Sequence, residues 1–209
     1  MSRTRRKNVS VKKSIYLFCE GETEANYFKM LKQKYRSFSV SVLDPSRSGI
    51  KIKSLDRSGE ELINKAIKDK KKNKQIKAND PIYVVFDRDK HDKKELLRCK
   101  KLARENNITI LFSSICFEIW ILMHFEPVFS SYSSDELFKK LSGPKYFDQD
   151  YKNFKGVDIR KLRPFLFDKV QFAKDNADQL YKIHHDMIND DPFTNVGNYL
   201  KEIFQTNEL

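Results

Sequence analysis

Ile15-Tyr16-Leu17-Phe18-Cys19-Glu20-Gly21-Glu22-Thr23-Glu24 is an apolar run of strand length that stops abruptly in acids. Residues 24–35 follow as an amphipathic helix, with Tyr27, Phe28, Leu31 and Tyr35 on one face. Residues 38–43 form a second short apolar run, completing a strand–helix–strand unit. Beyond a loop with Pro45 and Gly49, Ser58 and Glu61 have capping-box spacing ahead of Leu62, Ile63, Ala66 and Ile67. That helix runs into a lysine-rich end over residues 68–77. Residues 82–86 are wholly apolar and end in Asp87-Arg88-Asp89, residues 92–106 carry Leu96, Cys99 and Ala103 at helical spacing, and residues 108–112 give a fourth strand. Strands alternating with helices predict an α/β fold with a parallel, four-stranded Rossmann-like sheet flanked by helices.

The second half changes character. Residues 117–125 are apolar almost all round, which predicts a buried helix, and residues 130–163 mix polar and aromatic types. A long helix is expected from Leu166, because Leu166, Val170, Ala173, Ala177, Leu180, His184 and Met187 recur in steps of four and three. Its stripe suits packing on the chain's own core or on a second copy, so a homo-oligomer stays open. Pro192 ends that element, and Val196, Tyr199, Leu200, Ile203 and Phe204 mark a terminal helix. The expected organisation is a flexible basic arm (1–13), an α/β core (14–125) and a helical C-terminal extension packed on that core as a cap (126–209).

Lys and Arg number 41 against 29 Asp and Glu in 209 residues, a formal charge of +12 that favours an acidic partner. The longest apolar stretch, residues 115–125, is interrupted by Glu118 and His124 and is about half the roughly 20 residues a bilayer crossing needs. A membrane span is therefore not expected. The apolar stretch after the basic N-terminus is too short for a signal-peptide core, so a cytoplasmic protein is expected. Cys19, Cys99 and Cys116 are odd in number and widely separated, suggesting neither a disulfide framework nor a zinc site.

Ligands of open parallel sheets bind beyond the carboxyl ends of the strands. The first and third strands both end in acids there, and if they are neighbours, Glu20, Asp87 and Asp89 converge. Clustered carboxylates repel one another unless a cation compensates, and an all-oxygen set suits Mg²⁺ or Mn²⁺. Glu22 and Glu24 have a plainer explanation as first-turn acids of a helix, and Asp87 and Asp89 have one as turn formers. Strand alternation places Arg88 on the opposite side, as an ion-pair partner. Glu118 lies inside an apolar helix, where an unpaired carboxylate is costly; metal ligation and pairing with a basic side chain both answer that. His124 reads as a hydrogen-bonded core histidine and His91 as a solvated one.

The strand followed by Glu20-Gly21-x-x-Glu24, together with the later strand ending Asp87-x-Asp89, resembles the Toprim domain of topoisomerases, bacterial primases and OLD-type and RNA-maturing nucleases. More narrowly, four segments in order are similar to the RloB-like family: Cys19-Glu20-Gly21-Glu22-Thr23-Glu24, Phe86-Asp87-Arg88-Asp89, Cys116-Phe117-Glu118-Ile119-Trp120-Ile121-Leu122-Met123-His124-Phe125 and Asp191-Pro192-Phe193-Thr194-Asn195-Val196. The resemblance implies a Toprim-type sheet and a Mg²⁺-dependent nuclease tied to bacterial restriction and antiphage defence loci, with a companion ATPase among its partners. It gives Glu20 an acid/base or metal role, makes Asp87 and Asp89 the catalytic metal-holding pair, and adds Glu24 and Glu118 as further ligands.

A polyanion has several basic places to lie. These are the arm with Arg3, Arg5, Arg6, Lys7, Lys12 and Lys13, then Lys90 beside the acids, and Lys145 and Lys152, which interleave with aromatics. Those aromatics equally suit packing of a loop on the core. RNA and DNA are not distinguished. A receiver-type phosphoacceptor shares the layout of acids but needs a fifth strand ending in Lys. A dehalogenase-type phosphatase places its Asp-x-Asp after the first strand. A Toprim-like subunit that binds nucleic acid or scaffolds a defence complex without catalysis is the remaining alternative.

Overall fold

An apolar run with no polar position needs cover on both faces of its strand. The computed structural model, which describes residues 14–35, 49–89 and 91–209, supplies that cover. Along the chain the elements are β1 (Ile15–Cys19), α1 (Glu22–Lys34), β2 (Ile50–Ser54), α2 (Gly59–Lys72), β3 (Ile82–Asp87), α3 (Lys93–Glu105) and β4 (Thr109–Ser114). They continue with α4 (Glu118–Leu122), α5 (Ser134–Leu141), α6 (Tyr151–Phe154), α7 (Ile159–Leu166), α8 (Val170–Tyr181), β5 (Phe193–Thr194) and α9 (Val196–Phe204). The predicted arm, the predicted strand at 38–43 and Lys90 lie outside the described residues.

The sheet is mostly parallel and its order is β2-β1-β3-β4-β5, with β5 antiparallel to β4. After β2 the chain crosses back over β1 to β3, so strand order reverses between β1 and β3. Successive side chains of a strand point to opposite faces, and each face has its own core. Ile15, Leu17, Cys19, Tyr83 and Val85 pack with Phe28 and Leu31 of α1 and with Ile119 and Trp120 of α4. Tyr16, Phe18, Val84 and Phe86 pack with Leu62 and Ile63 of α2 and Leu96 and Cys99 of α3. The helices beyond residue 126 join the first of these cores through Leu137, Phe147, Tyr151, Leu166 and Val170.

Among the described residues the sheet has five strands where four were expected. β2 falls at Ile50–Ser54, a stretch expected to be loop, and its Ile-Lys-Ile-Lys alternation is that of a half-buried edge strand. Lys51 and Lys53 reach over the rings of Tyr16 and Phe18 at 5.3 and 5.7 Å. β5 is only two residues long, below any periodic signal. It is held by Asn195, whose Oδ1 accepts from the Phe112 N–H at 2.7 Å and whose Nδ2 donates to the Ile110 carbonyl at 3.0 Å.

The single long helix expected from Leu166 is two. α7 ends at Leu166, a 3₁₀ turn covers Phe167–Lys169, and α8 ends at Tyr181. Leu166, Val170, Ala173, Ala177 and Leu180 form the buried stripe, whereas His184 and Met187 lie past the helix end. His184 Nδ1 meets the Pro192 carbonyl there at 2.7 Å. Among the described residues no helix is long and apolar enough to cross a membrane. All three cysteines are buried and free.

Candidate acidic centre at the strand ends

Cys19 pairs with Val85 in the β1–β3 register, so the acids that follow the two strands become neighbours. The Glu20 N–H donates to the Val85 carbonyl at 2.9 Å, and the Asp87 N–H donates to Glu20 Oε2 at 3.3 Å. Asp87 continues the alternation of Tyr83 and Val85 and therefore faces the side of α1 and α4. Two more carboxylates wait on that side: Glu24 in the first turn of α1 and Glu118 at the start of α4. Asp87, Glu24 and Glu118 are 8%, 5% and 0% exposed.

Such burial penalises the charged forms, and the carboxylates penalise one another. Burial pushes Glu24 up to about 7; its own backbone amide opposes this, and the charges of Glu118 and Glu20 add to it. Asp87 is held well above the usual carboxylate range, first by burial and then by Glu24, Glu118 and Glu20, against the backbone N–H of Phe117. Among the described residues Asp87 Oδ1 and both Glu118 oxygens complete no hydrogen bond.

Among the described residues one cation reaches this cluster. Lys155 Nζ stands 3.2 Å from Glu118 Oε1, an ion pair without the alignment of a directed hydrogen bond. Burial alone would lower Lys155, yet Glu118 holds it above its ordinary value. Its place is set by α6, whose final turn closes through the Lys155 N–H to the Tyr151 carbonyl at 2.7 Å. Asn26 of α1 then clasps the next turn, donating to the carbonyls of Gly156 and Val157 at 3.2 and 3.1 Å.

On the other side of Glu20, Ser58 Oγ donates to Glu20 Oε2 at 2.8 Å and lies 2.7 Å from His91 Nε2. The His91 ring packs edge-on to Phe86, 5.9 Å between centroids. Ser58 was not expected near the centre, and His91, close behind the acids in sequence, was expected to be solvated. Ser58 reads as a helix cap and is indeed at the N-cap of α2, but its side chain makes no capping bond.

The expected residues divide accordingly. Glu20, Glu24, Asp87 and Glu118 are brought together. Asp89 leaves the strand in a turn at φ +31° and is exposed, so the extended chain that would have put it beside Asp87 ends one residue too soon. Arg88 points away from the acids as expected, but its Nη2 donates to the carbonyls of Met187, Ile188 and Asp190 at 3.0 to 3.2 Å and not to an acid. His124 is the expected core histidine, between the Trp120 carbonyl at 3.0 Å and the Tyr27 hydroxyl at 3.1 Å.

Lys145 and Lys152 are exposed, the latter 3.2 Å from Asp135. The aromatics between them pack inward, with Phe147 and Tyr151 each 1% exposed.

Among the described residues no group of three or more His, Cys, Asp or Glu side chains is placed to hold a metal ion. The arrangement shows why: Glu24 Oε2 turns back to the Gly21 N–H at 3.0 Å, Glu20 Oε2 is taken by Ser58 and Asp87, and Glu118 leans on Lys155. The donor chemistry nonetheless fits a hard divalent cation, being all oxygen with buried acceptors left unsatisfied. No curated protein and no solved structure matches the chain. The model of the RloB-like protein family matches residues 15–203, nearly the whole length, and the chain belongs to that family.

Proposed function

We propose that this protein is a metal-dependent nuclease that hydrolyses RNA or DNA phosphodiesters, serving bacterial antiphage defence, with Glu20, Asp87, Glu24 and Glu118 as its acidic centre and Mg²⁺ or Mn²⁺ as its cation. What carries the proposal is the convergence of four carboxylates where strand order reverses, with Asp87 Oδ1 buried and completing no hydrogen bond among the described residues and Glu118 fully buried beside Lys155. That reversal point is the ligand-binding position of open α/β sheets. Membership of the RloB-like family and the excess of basic residues outside the centre agree with it.

A divalent ion bound there would supply positive charge to the phosphoryl oxygens and favour attack by water. The chain's own groups have separable tasks. Glu20 is half-buried with Oε1 free of hydrogen bonds among the described residues, so it can take a proton from the attacking water. Asp87, Glu24 and Glu118 supply buried negative charge for the cation. Lys155 offsets part of that charge.

The test is cleavage of RNA and of DNA by the purified protein with Mg²⁺ or Mn²⁺, alongside thermal melting with and without the ion. Asp87→Ala should abolish cleavage and the ion's stabilising effect without lowering the ion-free Tm, because it removes a buried carboxylate with an unsatisfied oxygen. Undiminished cleavage by Asp87→Ala overturns the site. Neither cleavage nor ion-dependent stabilisation in the wild type overturns the nuclease and points to a non-catalytic binding or scaffold subunit.

A further inference from the structure

Ser58 occupies the N-cap of α2, where a serine hydroxyl ordinarily accepts a hydrogen bond from the helix's own N–H groups. It forgoes that bond. Its Oγ is 2.8 Å from Glu20 Oε2 and 2.7 Å from His91 Nε2 instead. A hydroxyl has one proton to give. With that proton on the Glu20 carboxylate, the one shared between Ser58 and His91 belongs to Nε2, and His91 donates to Ser58.

The imidazole is itself fixed. Its backbone N–H donates to the Arg88 carbonyl at 2.7 Å, its ring meets Phe86 edge-on, and its Nδ1 is 3.6 Å from Glu95 Oε2. The ring lies directly over Gly59, where a Cβ would come within 2.6 Å of Cε1. The pair borders a cleft of about 350 Å³ whose wall includes Arg57, Ser58, Glu61 and His91, so solvent and ligand have access to it.

Both hydrogen bonds to Glu20 fall on one oxygen: Oε2 takes Ser58 and the Asp87 N–H, and Oε1 takes none among the described residues. A carboxylate held this way has one oxygen committed to orientation and one left for chemistry. We infer that Ser58 and His91 are positioning residues for Glu20, a two-residue brace from the start of α2 and the turn after β3 that fixes which Glu20 oxygen serves the reaction. The inference rests on the nuclease proposal, since it gives Glu20 its task.

The experiment compares Ser58→Ala, Ser58→Thr, His91→Gln and Glu20→Gln in Mg²⁺-dependent cleavage, with Tm and imidazole ¹⁵N shifts read on the same proteins. Losing a hydrogen-bonded support of this kind lowers activity about 10- to 100-fold. Ser58→Ala is expected to lose that much kcat with little change in KM and an unchanged Tm. Ser58→Thr, which keeps the hydroxyl, should recover most of it, and His91→Gln, which keeps an N–H donor, should fall between. The ¹⁵N spectrum of the wild type should show His91 protonated at Nε2, with that signal shifted in Ser58→Ala. Wild-type kcat in Ser58→Ala beside a dead Glu20→Gln overturns the brace and spares the nuclease, as does a Ser58→Thr no better than alanine at normal Tm. Full activity in Glu20→Gln, or no cleavage by the wild type, overturns both.

Discussion

Lys155 Nζ lies 3.2 Å from Oε1 of Glu118, a carboxylate with 0% of its side chain exposed, while the lysine itself is 39% exposed. The pair joins α6 to the start of α4 and is asymmetric: solvent can replace Glu118 as a partner for Lys155, but not the reverse. Removing one member of a fully buried pair costs about 3–5 kcal/mol, and the exposure of Lys155 brings the expectation for Lys155→Met to about 1–3 kcal/mol. Glu118→Gln removes the charge and keeps the shape, so the double variant should regain most of that loss. Urea denaturation of the three proteins measures it. A Lys155→Met curve superimposed on the wild type would show that the ion pair adds nothing to stability.

Glu24 gives the cluster a pH signature. Its folded value is pushed up from 4.5 to about 7, first by burial and then by Glu118 and Glu20. A raised acid binds its proton more tightly in the native state, so it costs nothing below 4.5, costs progressively more as pH rises through 7, and stays costly above. A shift of that size corresponds to about 3 kcal/mol. Glu24→Gln can keep an acceptor for the Gly21 N–H and should melt higher than the wild type above neutrality, the two curves converging in acid. A difference that does not vary with pH would mean that neither burial nor the neighbouring carboxylates penalise the charged form of Glu24.

His124 works in the opposite direction. Burial pushes it down from 6.5 to about 3, with the Trp120 and Ile121 backbone opposing the shift. The unfolded chain therefore takes up a proton that the native state refuses, and the stability His124 contributes is complete above 6.5 and lost as pH falls toward 3. The loss amounts to about 3–5 kcal/mol over that range. His124→Gln should be less stable than the wild type near neutrality, and the gap should close on acidification. Melting curves across that range decide it, and a gap that widens in acid would place a charged imidazole in the core.

The sheet was legible where its strands are covered on both faces, because Ile15–Cys19 and residues 82–86 then carry no charged position to confuse the period. It was illegible at its edges, where Ile50–Ser54 alternates with lysine and Phe193–Thr194 has no period. The acidic centre was half legible for a related reason. Glu20 and Asp87 sit at strand ends, which sequence locates well, and Glu118 stands out as a charge in an apolar run. Asp89 was misplaced because the extended conformation stops at Asp87. Lys155 was hidden because its partnership with Glu118 spans 37 positions and depends on a clasp by Asn26. Ser58 was recognised as a helix start, and nothing in a capping pattern tells whether the hydroxyl turns inward to its helix or outward to an acid.

Gly59 links the fold to the brace on Glu20. It follows Ser58 at φ +49°, in the left-handed region, and a Cβ there would stand 2.6 Å from Cε1 and 2.9 Å from Nε2 of His91. Gly59→Ala therefore has two separable effects. The backbone term costs about 1–2 kcal/mol, the usual penalty for a side chain at such a φ. The steric term falls on an imidazole that can swing away more cheaply than the helix can move, which breaks its contact with Ser58. The double variant should thus lose about as much stability as Gly59→Ala alone, whereas the two effects on kcat should not multiply, because both act through the same hydroxyl. A double variant whose kcat falls by the product of the two single losses would show that Gly59 acts on the centre by some other route than His91.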